Sequence, residues 1–138
     1  MNRLLLVFAS LFLVVGSARA QSFGIVAEIP FDFVVGKTTL HAGKYRLEPI
    51  GLGGSNMLLR SSDRRAAIFI TPGTCSSGQM QPETKLVFRV YGNEHFLWQI
   101  WTQGYDMGRE LHVNPRKIDA NLAQPDPVVI LTTLGRAP

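Results

Sequence analysis

The chain of 138 residues is long enough for one domain with a hydrophobic core, and its 46% hydrophobic and 17% charged residues exclude a disordered protein. Its formal net charge of +4 includes Arg3 and Arg19, which belong to a predicted leader, so the remaining chain carries 12 basic and 10 acidic residues. This near balance gives no electrostatic reason to expect binding to nucleic acid or to anionic lipid.

The first 20 residues have the pattern of a secretory signal peptide. Arg3 supplies a short positive start, residues 4–15 form an apolar run, and residues 18–20 read A-R-A, which is an A-x-A cleavage site. The apolar run is too short to span a bilayer, and no later stretch is long and apolar enough to do so. We therefore predict cleavage after residue 20, export to the periplasm or the extracellular space, and a single β domain over residues 21–138.

The chain after the leader consists of short runs of alternating apolar and polar residues, separated by Gly, Pro, Asn, Ser and Asp. Alternation with period two is typical of strands with one buried face, and closely spaced turn residues are typical of all-β domains. The predicted strands lie in residues 28–36, 37–49 (with a turn at Ala42 and Gly43), 56–60, 65–71, 84–91, 94–102, 110–113 and 128–134. This pattern predicts an all-β fold, either a single-domain β-sandwich or an open barrel of about seven to eight short antiparallel strands.

Three segments add to this scheme or compete with it. Residues 56–71 contain neither Gly nor Pro, so a helix is an alternative there, but the S-S-D sequence and the run I-F-I favour a hairpin. Residues 72–82 are polar and are predicted to form a long loop. Asn114 and Pro115 suit the start of a helix, which predicts a short C-terminal helix over residues 115–122.

Residues 84–102 are predicted to form the central hairpin, which contains both tryptophans of the chain and turns at Gly92 and Asn93. A strict two-residue loop would place the most apolar residues of the two strands on opposite faces. An odd-numbered loop or a bulge would place them on one face, and burial should favour that register. The predicted inward set is Leu86, Phe88, Val90, Phe96, Trp98 and Ile100.

The other face of this hairpin is too apolar to be simply solvated, and its aromatic residues suggest a ligand site. Tyr91 and Trp101, together with the nearby Tyr105, could stack against sugar rings. Ordinary packing of a second layer against the hairpin is the more common explanation for such residues. A carbohydrate-binding site at Tyr91, Trp101 and Tyr105 is therefore kept as an alternative prediction.

Metal binding and catalysis have little support in the sequence. Asp106, Glu110 and His112 form the one cluster with a conceivable metal-ligand spacing, although solvated polar residues near a turn explain it better. No serine lies in a G-x-S-x-G sequence that would indicate a nucleophile. We predict no catalytic residues and no cofactor, and we rank a metal-assisted hydrolase last.

Cys75 is the single cysteine of the chain, so an intramolecular disulfide is excluded. Its surroundings, P-G-T-C-S-S-G, indicate an incidental thiol in a loop rather than a catalytic one. A disulfide-linked dimer through Cys75 is compatible with an exported protein and is left open.

A series of motifs resembles a known family. The chain reads I-P-F-D-F-V-V-G-K-T-T-L-H-A-G-K-Y-R-L-E, then L-R-S-S-D-R, K-L-V-F-R-V-Y-G-N-E-H-F-L-W-Q-I-W and G-R-E-L. In this order, over nearly the whole exported part, the motifs resemble an uncharacterised family of short exported all-β bacterial proteins. The family pattern has L-P-A-G-x-Y where this chain has His41 in place of the proline. The resemblance implies an exported β domain and implies no activity.

Taken together, the sequence predicts an exported, non-enzymatic β-domain protein that acts by binding or by structural association at the cell envelope. Its partner would be an envelope protein or a glycan, which the sequence does not identify. The alternatives are the carbohydrate-binding module and, last, the hydrolase.

Overall fold

The computed structural model describes residues 23–113, 127–131 and 133–136. This part of the chain is all-β and contains no α-helix, which confirms the predicted fold class. The predicted signal peptide and the predicted helix over residues 115–122 lie outside the described residues. The strands are β1 (Phe23–Ile29), β2 (Phe33–Val35), β3 (Thr38–Leu40), β4 (Gly43–Ile50), β5 (Asn56–Ser61), β6 (Ala67–Ile70), β7 (Gly73–Ser76), β8 (Lys85–Tyr91), β9 (Glu94–Trp101), β10 (Met107–Glu110), β11 (Pro127–Leu131) and β12 (Thr133–Arg136), with a 3₁₀ turn at Leu52–Gly54.

These strands form two sheets. The first sheet has the order β12-β1-β4-β5-β6, and the second has the order β11-β8-β9-β10-β7. The small hairpin of β2 and β3 joins the second sheet because β2 pairs in parallel with β9 at His95 and Phe96. The sequence predicted fewer strands because several of the observed ones are only three or four residues long.

The two sheets share one hydrophobic core. Inward residues of the first sheet, such as Leu47 and Leu59, lie in the same cluster as Leu86 and Phe88 of the second. Phe33 connects them, since its ring centroid lies 5.1 Å from that of Tyr45 in β4 and 5.7 Å from that of Phe88 in β8. Burial of these side chains contributes roughly 1.5–3 kcal/mol each before the entropy of ordering is subtracted. The structure is therefore a β-sandwich.

The chain passes from one sheet to the other at short corners. It crosses after β1, after β3, after β6 and between β11 and β12. Pro30 lies at the corner after β1 and Pro72 at the corner after β6, where a residue without an N–H donor interrupts no strand pairing.

The first corner is held by Asp32, whose Oδ1 atom accepts a hydrogen bond from the Ala42 N–H at 2.9 Å. This hydrogen bond, with a contribution from His41, lowers the pKa of the Asp32 carboxyl. The Tyr45 hydroxyl donates to the His41 carbonyl at 2.6 Å, so the turn before β4 is tied at both ends. The D-F and A-G-K-Y motifs of the sequence therefore meet at one structural corner.

The central hairpin has a different register from the predicted one. Gly92 and Asn93 form a strict two-residue loop, and Tyr91 pairs with Glu94. Gly92 has a φ of 60°, which suits the first position of a type II′ turn. An irregularity at Trp98 then shifts the register, since Val87 pairs with Gln99 while Phe88 pairs with Leu97. The bulge thus lies in the strand and not at the turn.

This register corrects the predicted inward set. Leu86, Phe88 and Ile100 are in the core as predicted, and Leu97 joins them with 2% exposure. The prediction that Phe96 and Trp98 point inward was wrong. Both lie on the outer face, because the tight turn places Phe96 opposite Arg89 and the bulge keeps Trp98 on that side.

The polar segment 72–82 also differs from its prediction as a loop throughout. Gly73–Ser76 forms β7, which pairs with β10 at the edge of the second sheet. Its pairing partner supplies the strand structure that its own G-T-C-S sequence does not favour.

Candidate binding surface on the central hairpin

The outer face of β8 and β9 carries a group of half-buried aromatic residues around one arginine. The guanidinium carbon of Arg89 lies 3.6 Å from the centroid of the Trp98 ring. Beside it, Tyr91 and Phe96 meet edge to face with their centroids 5.6 Å apart. Arg89 and Phe96 are direct cross-strand neighbours, so the four side chains are contiguous. We call Arg89, Tyr91, Phe96 and Trp98 the aromatic–arginine patch.

The charge of Arg89 is not paired with a carboxylate in the part of the chain that the structure describes. A guanidinium stacked over an indole is attracted by the electrons of the ring, and the contact fixes its position. Stacking uses the flat face of the group and leaves the N–H donors along its edge available for an anion or a hydroxyl. The patch thus combines apolar area with a positioned cation.

Trp101, at the other end of β9, has a structural role. Its indole N–H donates to Gln99 Oε1 at 3.1 Å, and Gln99 Nε2 donates to Glu110 Oε2 at 2.8 Å. The side chain is only 7% exposed. The backbone of Gly108 lies against the ring so closely that a Cβ atom there would come within 2.6 Å of it.

The structure does not bring the predicted sugar platform together. Trp101 has no free face, and Tyr91 is at the opposite end of the hairpin, about 20 Å away along the strand. Tyr105 is 63% exposed but lines a cleft elsewhere on the molecule. The predicted face of Tyr91 and Trp101 agrees with the structure, but the distance between them and the burial of Trp101 keep them from forming one platform. The aromatic residue of this face that the sequence reasoning missed is Trp98. If Gly92 and Asn93 are read as a strict two-residue loop, the resulting register predicts that Trp98 lies on the outer face.

The three weak metal candidates of the sequence are not brought together either. No group of three His, Cys, Asp or Glu side chains with a metal-binding arrangement occurs among the described residues, which include Asp106, Glu110 and His112. Glu110 instead accepts the hydrogen bond from Gln99.

Cys75 lies in β7 rather than in a loop, opposite Gly108. Its thiol is half-buried, and burial raises its pKa, with a further increase from the negative charge of Glu110. A raised pKa leaves less of the nucleophilic thiolate at neutral pH. Disulfide pairing between two chains through Cys75 stays a prediction.

A concave region of about 530 Å³ lies beside the turn before β4, between residues 39–45 and 61–66. The carboxylate that lines it is engaged within the fold, since Asp63 accepts hydrogen bonds from the Ser61 hydroxyl at 2.6 Å and from the Arg65 N–H at 3.0 Å. Burial and the charges of Asp63 and Asp32 raise the pKa of Tyr45. These contacts stabilise the two turns and offer no catalytic pair.

Comparison with known proteins yields no relative: no family model matches the chain, and neither a curated protein nor a solved structure matches it. Within the described residues, no helix has the length and apolarity needed to cross a membrane.

Proposed function

We propose that the protein is an exported, non-enzymatic binding protein that associates with a component of the cell envelope through the aromatic–arginine patch. The pattern of the first 20 residues supports export to the periplasm or the extracellular space. The single observation that carries the proposal is the stacking of Arg89 on Trp98 at 3.6 Å, on the outer face of the central hairpin.

The composition of the patch supports this assignment. Arginine, tryptophan and tyrosine are the residues that contribute most often to the energy of protein interfaces. A cation held by an aromatic ring has already lost much of its conformational freedom, so binding costs less entropy. The rings are half-buried, which leaves apolar area that a partner can cover.

Arg89 has no carboxylate partner among the described residues, and this indicates the chemistry of the partner. A carboxylate on an envelope protein would accept two hydrogen bonds from the edge of the guanidinium. A glycan could use its hydroxyl or acidic groups at the same place, but one face of Trp98 is occupied by Arg89, which disfavours stacking of a sugar ring there. We therefore propose a protein with an acidic group, rather than a glycan, as the partner.

The test is capture from envelope extract with purified residues 21–138, comparing the natural sequence with the double variant Arg89→Gln and Trp98→Ala. Phe69→Ala is the matched control, because Phe69 is 76% exposed on β6 in the other sheet. We expect the same partner with the natural protein and the control, and its loss with the double variant. Capture that all three proteins share equally would contradict the proposal, and a parallel glycan screen separates the two partner classes.

A further inference from the structure

A second concave surface lies at the end of the sandwich where β7 and β10 face the turn before β5. The cleft measures about 460 Å³, within the range of roughly 300–1,000 Å³ that small-molecule sites occupy. Its lining includes Ile25 and Met57 of the first sheet and Ile100 of the second, all of which belong to the buried core. The cleft therefore reaches apolar residues of both sheets.

The cleft exists because β7 and β10 present few large apolar residues inward. Arg109 pairs with Ile100 on one side and with Thr74 on the other, so these three side chains share the inner face of the second sheet. A threonine and an arginine at these positions leave the space between the sheets unfilled at this end.

Arg109 places a positive charge across the opening. Its Nη1 atom donates to the Ser55 carbonyl, in the turn before β5, at 3.2 Å. No carboxylate lies within ion-pair distance of it among the residues that the structure describes. A half-buried cation beside an apolar floor lacks the partner that usually compensates its loss of hydration.

The rim of the cleft exposes apolar side chains. Tyr105 and Met107, which line the cleft, are 63% and 51% exposed. They are two of the five large hydrophobic side chains that are exposed in the described chain. Their placement at the opening suits a ligand that is apolar along most of its length.

From these contacts we propose that the cleft binds a single-chain amphiphile with a carboxylate head, such as a fatty acid. The carboxylate would pair with the Arg109 guanidinium, and the hydrocarbon chain would extend between the sheets toward Ile25, Met57 and Ile100. A flat membrane surface would contact the rim but would not reach these buried residues. The site is distinct from the aromatic–arginine patch and does not depend on it.

The test is calorimetric titration of delipidated residues 21–138 with laurate, kept below its micelle-forming concentration. We expect saturable binding that Arg109→Gln weakens at least about tenfold, because a charge-assisted hydrogen bond is lost. Dodecyltrimethylammonium has the same chain with a cationic head and should bind the natural protein more weakly than laurate does. The matched control is Arg65→Gln, which removes the same charge from an exposed arginine away from the cleft. It should leave laurate binding unchanged.

A second variant keeps the result interpretable if Arg109→Gln affects folding. Thr74→Trp, at an exposed position on the edge strand, should fill the mouth and abolish binding while thermal unfolding stays cooperative. No laurate binding to the natural protein would overturn the proposal, as would binding that neither variant changes. Binding to phosphatidylglycerol vesicles without binding to monomeric laurate would overturn it in favour of a membrane contact.

Discussion

The backbone of Gly108 lies against the indole of Trp101, at a distance that leaves no room for a Cβ atom. This contact separates the roles of the two tryptophans of β9. Trp101 is covered and hydrogen-bonded, whereas Trp98 lies at the surface under Arg89. Trp101 therefore stabilises the fold, whereas Trp98 is half-buried on the outer face, where we propose that a partner binds.

Gly108→Ala should destabilise the domain by about 1–3 kcal/mol, because the added methyl group overpacks the ring of Trp101. The measurement is the free energy of unfolding in urea. Gly73→Ala in the neighbouring strand is the control, since its Cβ would make only ordinary contact at 3.7 Å. We expect that variant to remain within about 0.5 kcal/mol of the natural protein. Equal effects from both substitutions would show that Trp101 is not packed as described.

The register of the hairpin predicts opposite responses at two adjacent residues. Leu97→Ala should cost about 2–5 kcal/mol, because it leaves a cavity in the core. Trp98→Ala removes a larger side chain but from the outer face, so we expect less than half that cost. Urea unfolding of the two variants provides the comparison. If Trp98→Ala were the more destabilising change, the inward orientation of Leu97 would be wrong.

Asp32→Ala should lower stability at neutral pH, because it removes the hydrogen bond to the Ala42 N–H. The pKa of Asp32 is lower in the folded protein than in the unfolded chain. Its contribution is therefore fully present above the unfolded pKa and is lost as the pH falls through the folded pKa. We expect the difference in urea midpoint between the natural protein and Asp32→Ala to shrink as the pH is lowered below about 4. A difference that grows in acid would contradict the lowered pKa.

Cys75 should react slowly with a thiol-specific alkylating reagent at neutral pH. Burial and the charge of Glu110 raise its pKa, so the thiolate is scarce until the pH exceeds the ordinary range for cysteine. The rate of modification is measured against pH, with the urea-unfolded chain as the reference. Glu110→Gln should increase the rate of alkylation, because it removes the negative charge that contributes to the raised pKa of Cys75. A folded thiol that reacts as fast as the unfolded one would refute this account.

Local patterns predicted much of the fold. The alternation of apolar residues identified an all-β chain and the inward positions of Leu86, Phe88 and Ile100. It misplaced Phe96 and Trp98, because alternation within each strand does not say how the two strands are paired, and the strict two-residue loop at Gly92 and Asn93 sets that pairing. The bulge in β9, which returns Ile100 to the inner face, has no local signature when both faces carry apolar residues. The strand β7 was missed for a related reason, since its structure depends on pairing with β10, a segment about thirty residues further along the chain.

The candidate sites depended still more on tertiary structure. Tyr91 and Trp101 share a face of the hairpin, but their separation and the cover provided by Gly108 follow from the assembled sheet. The cleft at Arg109 was invisible in the sequence, because it forms where two sheets meet and the inward residues of β7 and β10, Thr74 and Arg109, are not apolar. The ring that Arg89 contacts on the outer face could not be named before the register of the hairpin was known.

The most direct test of the binding surface is site-specific photocrosslinking in the living cell. A photoreactive phenylalanine analogue replaces Tyr91 in the patch or, as the control, Phe69 on the other sheet. Our account predicts that irradiation joins the protein to an envelope component from position 91 and not from position 69. Adducts from position 69 alone, or none from position 91, would contradict the assignment of the aromatic–arginine patch as the binding surface.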